Sequence, residues 1–312
     1  MLLRPMILAA LVGLPLSAAA APPFNTTWGS AGSGDGQFNF AHHLASSPLS
    51  YIYVGDLLND RVQQFTWDGA YVRQWPVAGA GGVSVGGNGV VYVVGADQVR
   101  KFTDTGSPLL SFGSSGSGPG QLSFPVDVAV DWRSGDIYVT EQGNHRVQKF
   151  DSTGTYVTLW GSEGSADGQF EFPFGISIGP DGFVYVADVQ NHRIQKFTTD
   201  GDFVLGWGTF GSGQGQLDSP GRPCVLDNGD LIVPDQGNSR MQRFTNGGTF
   251  VEEWGSPGTG PGQFNHPTCA ACSGDGSIVY VMDKDNARVQ KFGGITTDVQ
   301  STTWGKMKKL YR

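Results

Sequence analysis

Three cysteines are all that the 312 residues contain, too few for a small fold stapled together by disulfides. Charged residues make up only 15% of the chain, and 20 basic side chains face 28 acidic ones. A protein that grips a phosphate backbone ordinarily carries a basic surface, so nucleic acid is not an expected partner. Apolar residues at helical spacing are missing beyond the N-terminal segment, which argues against a helical domain. No later run approaches the length needed to span a bilayer, and no membrane span is expected. Nucleophile motifs, phosphate-cradling loops with a Lys-Ser/Thr pair and metal-protease helices are also lacking.

The N-terminal segment, residues 1–21, reads as an export signal. Arg4 supplies its positive start, Met6 to Leu16 a short apolar stretch, and Ser17 to Ala21 a small-residue cleavage zone. Its removal leaves 19 basic against 28 acidic residues, a balance of about −9. The mature chain is therefore expected to be secreted, periplasmic or held in the cell envelope. It has 48 glycines and 12% aromatics, a combination too glycine-rich for helices and too aromatic for disorder.

The glycines are not scattered. "GSGDGQF" ending at Phe38 returns as "GSGPGQL" at Leu122, "GSADGQF" at Phe170, "GSGQGQL" at Leu217 and "GTGPGQF" at Phe264. A second block runs "YIYVGDLLNDRVQQF" to Phe65, "IYVTEQGNHRVQKF" to Phe150, "VYVADVQNHRIQKF" to Phe197, "LIVPDQGNSRMQRF" to Phe244 and "VYVMDKDNARVQKF" to Phe292, with a shortened copy, "VYVVGADQVRKF", ending at Phe102. The closing phenylalanines step by 37, 48, 47, 47 and 48 residues, so the chain carries six units. Each unit reads as four strands separated by turn signals, as in "VDVAVD" from Val126, "IYVT" from Ile137, "RVQKF" from Arg146 and "YVTLWG" from Tyr156. Four short strands in about 47 residues is one blade of a propeller. The expected fold is all-β, a six-bladed β-propeller over 22–305, with blades at about 30–75, 76–112, 113–160, 161–207, 208–254 and 255–304. Outer-strand strings stand at both ends, "FNTTWG" from Phe24 and "STTWG" from Ser301. Residues 24–29 are expected to close the ring against blade six, and 306–312 form a basic tail.

The V-Y-V-x-D-x-x-N-x-R-V-Q-x-F block followed by F-x-x-x-W-G resembles the NHL repeat, and the resemblance covers essentially the whole mature chain. Proteins of this kind include interaction domains of tripartite-motif ubiquitin ligases, extracellular sensor domains of bacterial kinases and peptide-amidating lyases, so the resemblance implies the fold and leaves the function open. The expected function is a secreted binding module for a protein, peptide or glycan, working as a monomer without a cofactor. The alternative is a propeller enzyme, lyase-like or lactonase-like, with calcium or zinc on the axis.

Within each repeat an acid stands five residues before an arginine: Asp56 and Arg61, Glu141 and Arg146, Asp188 and Arg193, Asp235 and Arg240, Asp283 and Arg288. These pairs are expected to lock a hairpin, with Asn59, Asn144, Asn191, Asn238 and Asn286 in its turn. Trp160, Trp207 and Trp254 are expected to cover neighbouring blades. Blade two lacks both the Asn-x-Arg turn and the glycine-rich loop, which predicts a notch in the rim. Positions that vary between repeats are where a ligand would be chosen. Two residues after the proline that opens the innermost strands of blades three to six, and at the aligned positions of blades one and two, the chain carries His43, Gly82, Asp127, Gly175, Arg222 and Cys269. This ring, with His42 and His266, is the candidate site at the axial rim.

The resembling lyases hold zinc with three histidines from different blades. His145 and His192 fall at the x of Asn-x-Arg and read as structural. His42 resembles one lyase ligand in its placement, but the matching positions are Val126, Phe174, Gly221 and Thr268. Ring closure would bring His266 towards His42 and His43, although adjacent strand residues point to opposite faces. Cys224 is placed to bridge Cys269 or Cys272 in the neighbouring blade, leaving one thiol free; three unpaired small side chains is the other reading.

Overall fold

The structure, a computed structural model, describes residues 22–273 and 277–293. The segment read as an export signal, the string from Ser301 and the basic C-terminal residues lie outside the described residues. Six four-stranded sheets make up the fold. Blade three shows the common plan: Pro125–Val130 innermost, then Ile137–Glu141, Arg146–Phe150 and Tyr156–Trp160, each antiparallel to the last. The second strand is sandwiched between neighbouring blades and buried along its whole length, which suits its β-branched and aromatic run. Blade six departs from the plan. Its outer strand is Phe24–Trp28, paired antiparallel with Arg288–Gly293. The chain's first strand thus closes the ring, and Trp28 packs against Phe65 of blade one at 6.1 Å between ring centres. No helix of the described residues is long and apolar enough to cross a membrane.

The glycine-rich loops serve their own blade. In blade four, Arg193 Nε donates to Asp188 at 2.8 Å, and its two Nη atoms donate to the loop carbonyls of Ser165, Ala166 and Gln169 at 2.8–2.9 Å. Asp188 is fully buried and also accepts from Asn191, Gln195 and the Glu171 N–H. The loop's Gly168 N–H goes to Gln195 Oε1 at 2.9 Å. The same acid–arginine contact closes the other four units at 2.6–2.7 Å. The repeating polar residues therefore staple each inter-blade loop to a hairpin. Loop carbonyls face an arginine of the same chain and loop N–H groups face a glutamine, an arrangement unlike a phosphate cradle.

Blade two has neither staple. Gly95 stands where the acid would be, and Ala96 and Asp97, both at positive φ (49° and 55°), turn the hairpin in two residues. Beside it lies a groove of about 410 Å³ lined by Trp75, Arg100, Lys101, Phe102 and Pro108, among others. Cys224 bonds to Cys272, joining blades five and six, and Cys269 is the buried free thiol. Replacing Arg193 with alanine strands the buried Asp188 carboxylate and its loop. Chemical denaturation of R193A is expected to show a loss of about 3–5 kcal/mol, as for other buried pairs cut on one side.

Candidate functional site

Each fully formed innermost strand begins with a break in register, between Ala41 and His43, Pro125 and Asp127, Pro173 and Ile176, and Pro267 and Cys269. Such a bulge re-aims a side chain. Here the varying ring converges on the axis, but below the surface: His43, Asp127 and Cys269 are fully buried and Arg222 nearly so. The reading of these residues as an open rim is corrected accordingly, because together with Phe174 they fill the axis.

Arg222 is the strut of this plug. It starts in blade five, and its Nη1 donates to the carbonyl of Val83 in blade two at 2.7 Å and of Leu44 in blade one at 3.3 Å. Its Nε lies 3.3 Å from Asp127 Oδ2 of blade three. Asp127 also accepts the N–H groups of Val128 and Ile176, each at 2.9 Å. Burial pushes its carboxyl up to about 6, with Arg222 and the two N–H groups pulling the other way. The His43 imidazole lies 3.9 Å from Asp127 and stacks on Phe174 of blade four at 4.7 Å. Burial, then the Arg222 charge, lowers its pKa well below the usual histidine value, so it stays neutral. Cys269 exchanges hydrogen bonds with the Leu44 backbone at 3.4 Å, and burial pushes its thiol up to about 11, which makes it a poor nucleophile. Gly82 and Gly175 supply the room. A Cβ on Gly82 would lie 2.4 Å from Asp127 Cα, and one on Gly175 2.2 Å from Arg222 Cα.

The remaining histidines do not join this ring. His266 is half exposed and bonds Asp285 at 2.6 Å. His42 packs against Phe40 at 4.5 Å, and its ring stands 6.3 Å from that of His43. Among the described residues no three His, Cys, Asp or Glu side chains are gathered closely enough to hold a metal ion. His145 and His192 accept the N–H groups of Phe172 and Ser219 through Nδ1, linking successive blades.

On the face where the innermost strands begin, the structure shows residues that the sequence reading passed over. Phe40, Phe124 and Phe172 precede those strands in blades one, three and four, and are 46%, 77% and 46% exposed. All three sit at positive φ, 59°, 46° and 54°. Ser219 and His266 occupy the equivalent place in blades five and six with the same backbone. The string "F-P" was the available signal, but it marked the repeat without revealing exposure. Phe40 also carries Lys284 over its ring, 4.8 Å from the centre.

Burial, helped by Lys284, lowers the His42 imidazole to about 4. A histidine depressed in the folded state stabilises the fold above its ordinary value of about 6.5 and loses that contribution as pH falls towards 4. Asp127 acts in the opposite sense, since its raised carboxyl favours the folded state at low pH and ceases to as pH rises through about 6. Melting temperature measured from pH 7 to 4 should therefore fall less steeply in H42Q than in the parent.

The sequence model of the NHL repeat matches residues 122–150 and 170–197, which span most of blades three and four. A comparison with curated proteins finds no match. Among solved structures, a protein of unknown function from Bacteroides thetaiotaomicron is similar over 88% of this chain and 76% of its own, with 18% identity and a TM-score of 0.69. An inactive variant of virginiamycin B lyase from Staphylococcus aureus, solved with quinupristin, aligns over 84% and 82% at 17% identity and a TM-score of 0.60. A gluconolactonase from Xanthomonas campestris aligns over 83% and 87% at 16% identity and 0.62. At these identities the likeness is one of fold. With the repeat recognised in two blades and its residues recurring around a closed ring of six, the chain is a member of the NHL-repeat β-propellers.

Proposed function

We propose that this protein is an exported binding module that takes a protein, peptide or glycan ligand on the face ringed by Phe40, Phe124 and Phe172. The observation that carries this reading is the exposure of three phenylalanines on left-handed backbone. An L residue held there costs roughly 1–2 kcal/mol, and none of the three rings belongs to the buried core. Solvent-facing aromatics on a strained but rigid frame suit the recognition of apolar side chains or the C–H faces of sugars. The repeating polar groups, by contrast, are already engaged within their blades. Export is supported by the Cys224–Cys272 disulfide, since such bonds persist in oxidising compartments.

A second reading places an enzyme on the same face. His42, with Lys284 and Asp285 acting on its titration and with His266 bonded to Asp285, forms a titratable cluster there. The lyase and gluconolactonase of similar fold lend that reading its support.

Peptide and glycan arrays probed with the mature protein separate the two. The binding reading expects a reproducible set of ligands whose affinity drops at least about tenfold in F124S/F172S, with melting unchanged within a few degrees. Empty arrays, together with stoichiometric metal and turnover of a lactone or peptide substrate, would favour the enzyme.

A further inference from the structure

The plug closes the axis from one side only. From the opposite face, where the turns between first and second strands lie, a funnel of about 210 Å³ runs down to Arg222. Its walls are small in every blade: Ala45, Ser84, Ala129, Ser177, Cys224 and Ala271. Small side chains alone would leave only a dimple. Two donors on its lining that have no protein partner give it chemistry. Arg222 is nine-tenths buried; its Nη1 is hydrogen-bonded and its buried Nε faces Asp127 as an ion pair without a hydrogen bond. Its Nη2, which is not among the buried orphaned atoms, makes no hydrogen bond among the described residues. Ser84 is 93% buried and lines the funnel, and its hydroxyl has no partner among the described residues. The two are neighbours, because Arg222 holds the carbonyl of Val83. Solvent-open donors set side by side among otherwise small side chains are the kind of polar group that fixes a ligand's orientation in a cleft.

We infer that the funnel is a binding site for a small organic monocarboxylate, with one carboxylate oxygen on Arg222 Nη2 and the other on the Ser84 hydroxyl. Guanidinium suits this head group because its planar N–H edges match carboxylate geometry. The volume equals about seven waters of liquid, enough for a monosaccharide acid or a capped amino acid and too little for a larger chain. Asp227 at the lining and the overall charge of −8 oppose a second negative charge, which disfavours sulfate, phosphate and dicarboxylates. Trp132, partly exposed at the mouth, offers a flat apolar surface to the body of the ligand. This site is independent of the aromatic face.

Titration calorimetry of the mature protein with glucuronate, N-acetylalanine, glucose, N-acetylalaninamide, sulfate and phosphate tests the inference. Binding is expected for at least one of the two carboxylates, at least about tenfold tighter than for its neutral counterpart or either inorganic anion. The stronger of the two arms identifies the source as sugar acid or chain-terminal carboxylate. G87L should abolish it by filling the mouth, since Gly87 has ordinary backbone and its nearest neighbour, Trp132, is 3.6 Å from a Cβ there. S84A should weaken it several-fold, and F124S/F172S should leave it intact. Equal binding of the neutral analogues, competition by sulfate or phosphate at similar strength, no effect of a folded G87L, or no binding of either carboxylate at about 10 mM would overturn the proposal.

Discussion

The fold turns on a single cation that crosses its axis. Arg222 leaves blade five, pairs with Asp127 of blade three and ends on carbonyls of blades one and two. Two charges taken out of water cost several kcal/mol each unless they are paired and hydrogen-bonded. Asp127 meets that need with Arg222 and two backbone N–H groups, one of them from blade four. Position, charge and space are set by different blades, and no repeat unit contains the arrangement by itself.

Around this strut the hub is sewn by residues that do not repeat. Thr140 donates to the Phe174 carbonyl, Thr268 to that of His42 and Ser177 to that of Pro223, each a contact between adjacent blades. Blade five shows the strongest departure. Its innermost strand is reduced to Cys224–Val225, while Arg222 pairs in parallel with Cys269 of blade six. The disulfide from Cys224 to Cys272 spans the same seam. The outer parts of the blades are held instead by the repeating acid–arginine staples. One molecule thus has a uniform rim and an irregular hub, and the closed hub separates an aromatic face from a polar funnel.

Much of this was legible in the residues. The 47- to 48-residue period fixed the number of blades, and the string around Trp28 announced the strand that closes the ring. Spacing also gave the correct partners for convergence on the axis, His43, Asp127, Arg222 and Cys269. Depth was not legible. Whether a side chain lies at a mouth or inside depends on bulges and on what the opposite blade supplies, and Phe174 reaching His43 from blade four has no one-dimensional signature. The choice between Cys269 and Cys272 stayed open for the same reason, since it depends on strand level across a seam where blade five loses its regular pairing. The exposed phenylalanines were hidden by an ordinary expectation: a residue before proline usually adopts an extended backbone at negative φ, whereas Phe124 and Phe172 precede prolines with φ of 46° and 54°. The free donors of Arg222 and Ser84 became visible only once every partner had been assigned.

The most direct test of the Arg222 strut is a double-mutant cycle with R222M and D127N, followed by denaturant unfolding. A strut that exists to satisfy Asp127 predicts that each single change costs about 3–5 kcal/mol, while the double variant is hardly worse than the poorer single. Losses that simply add, within about 0.5 kcal/mol, would mean that the two residues are independent and that something else holds the axis.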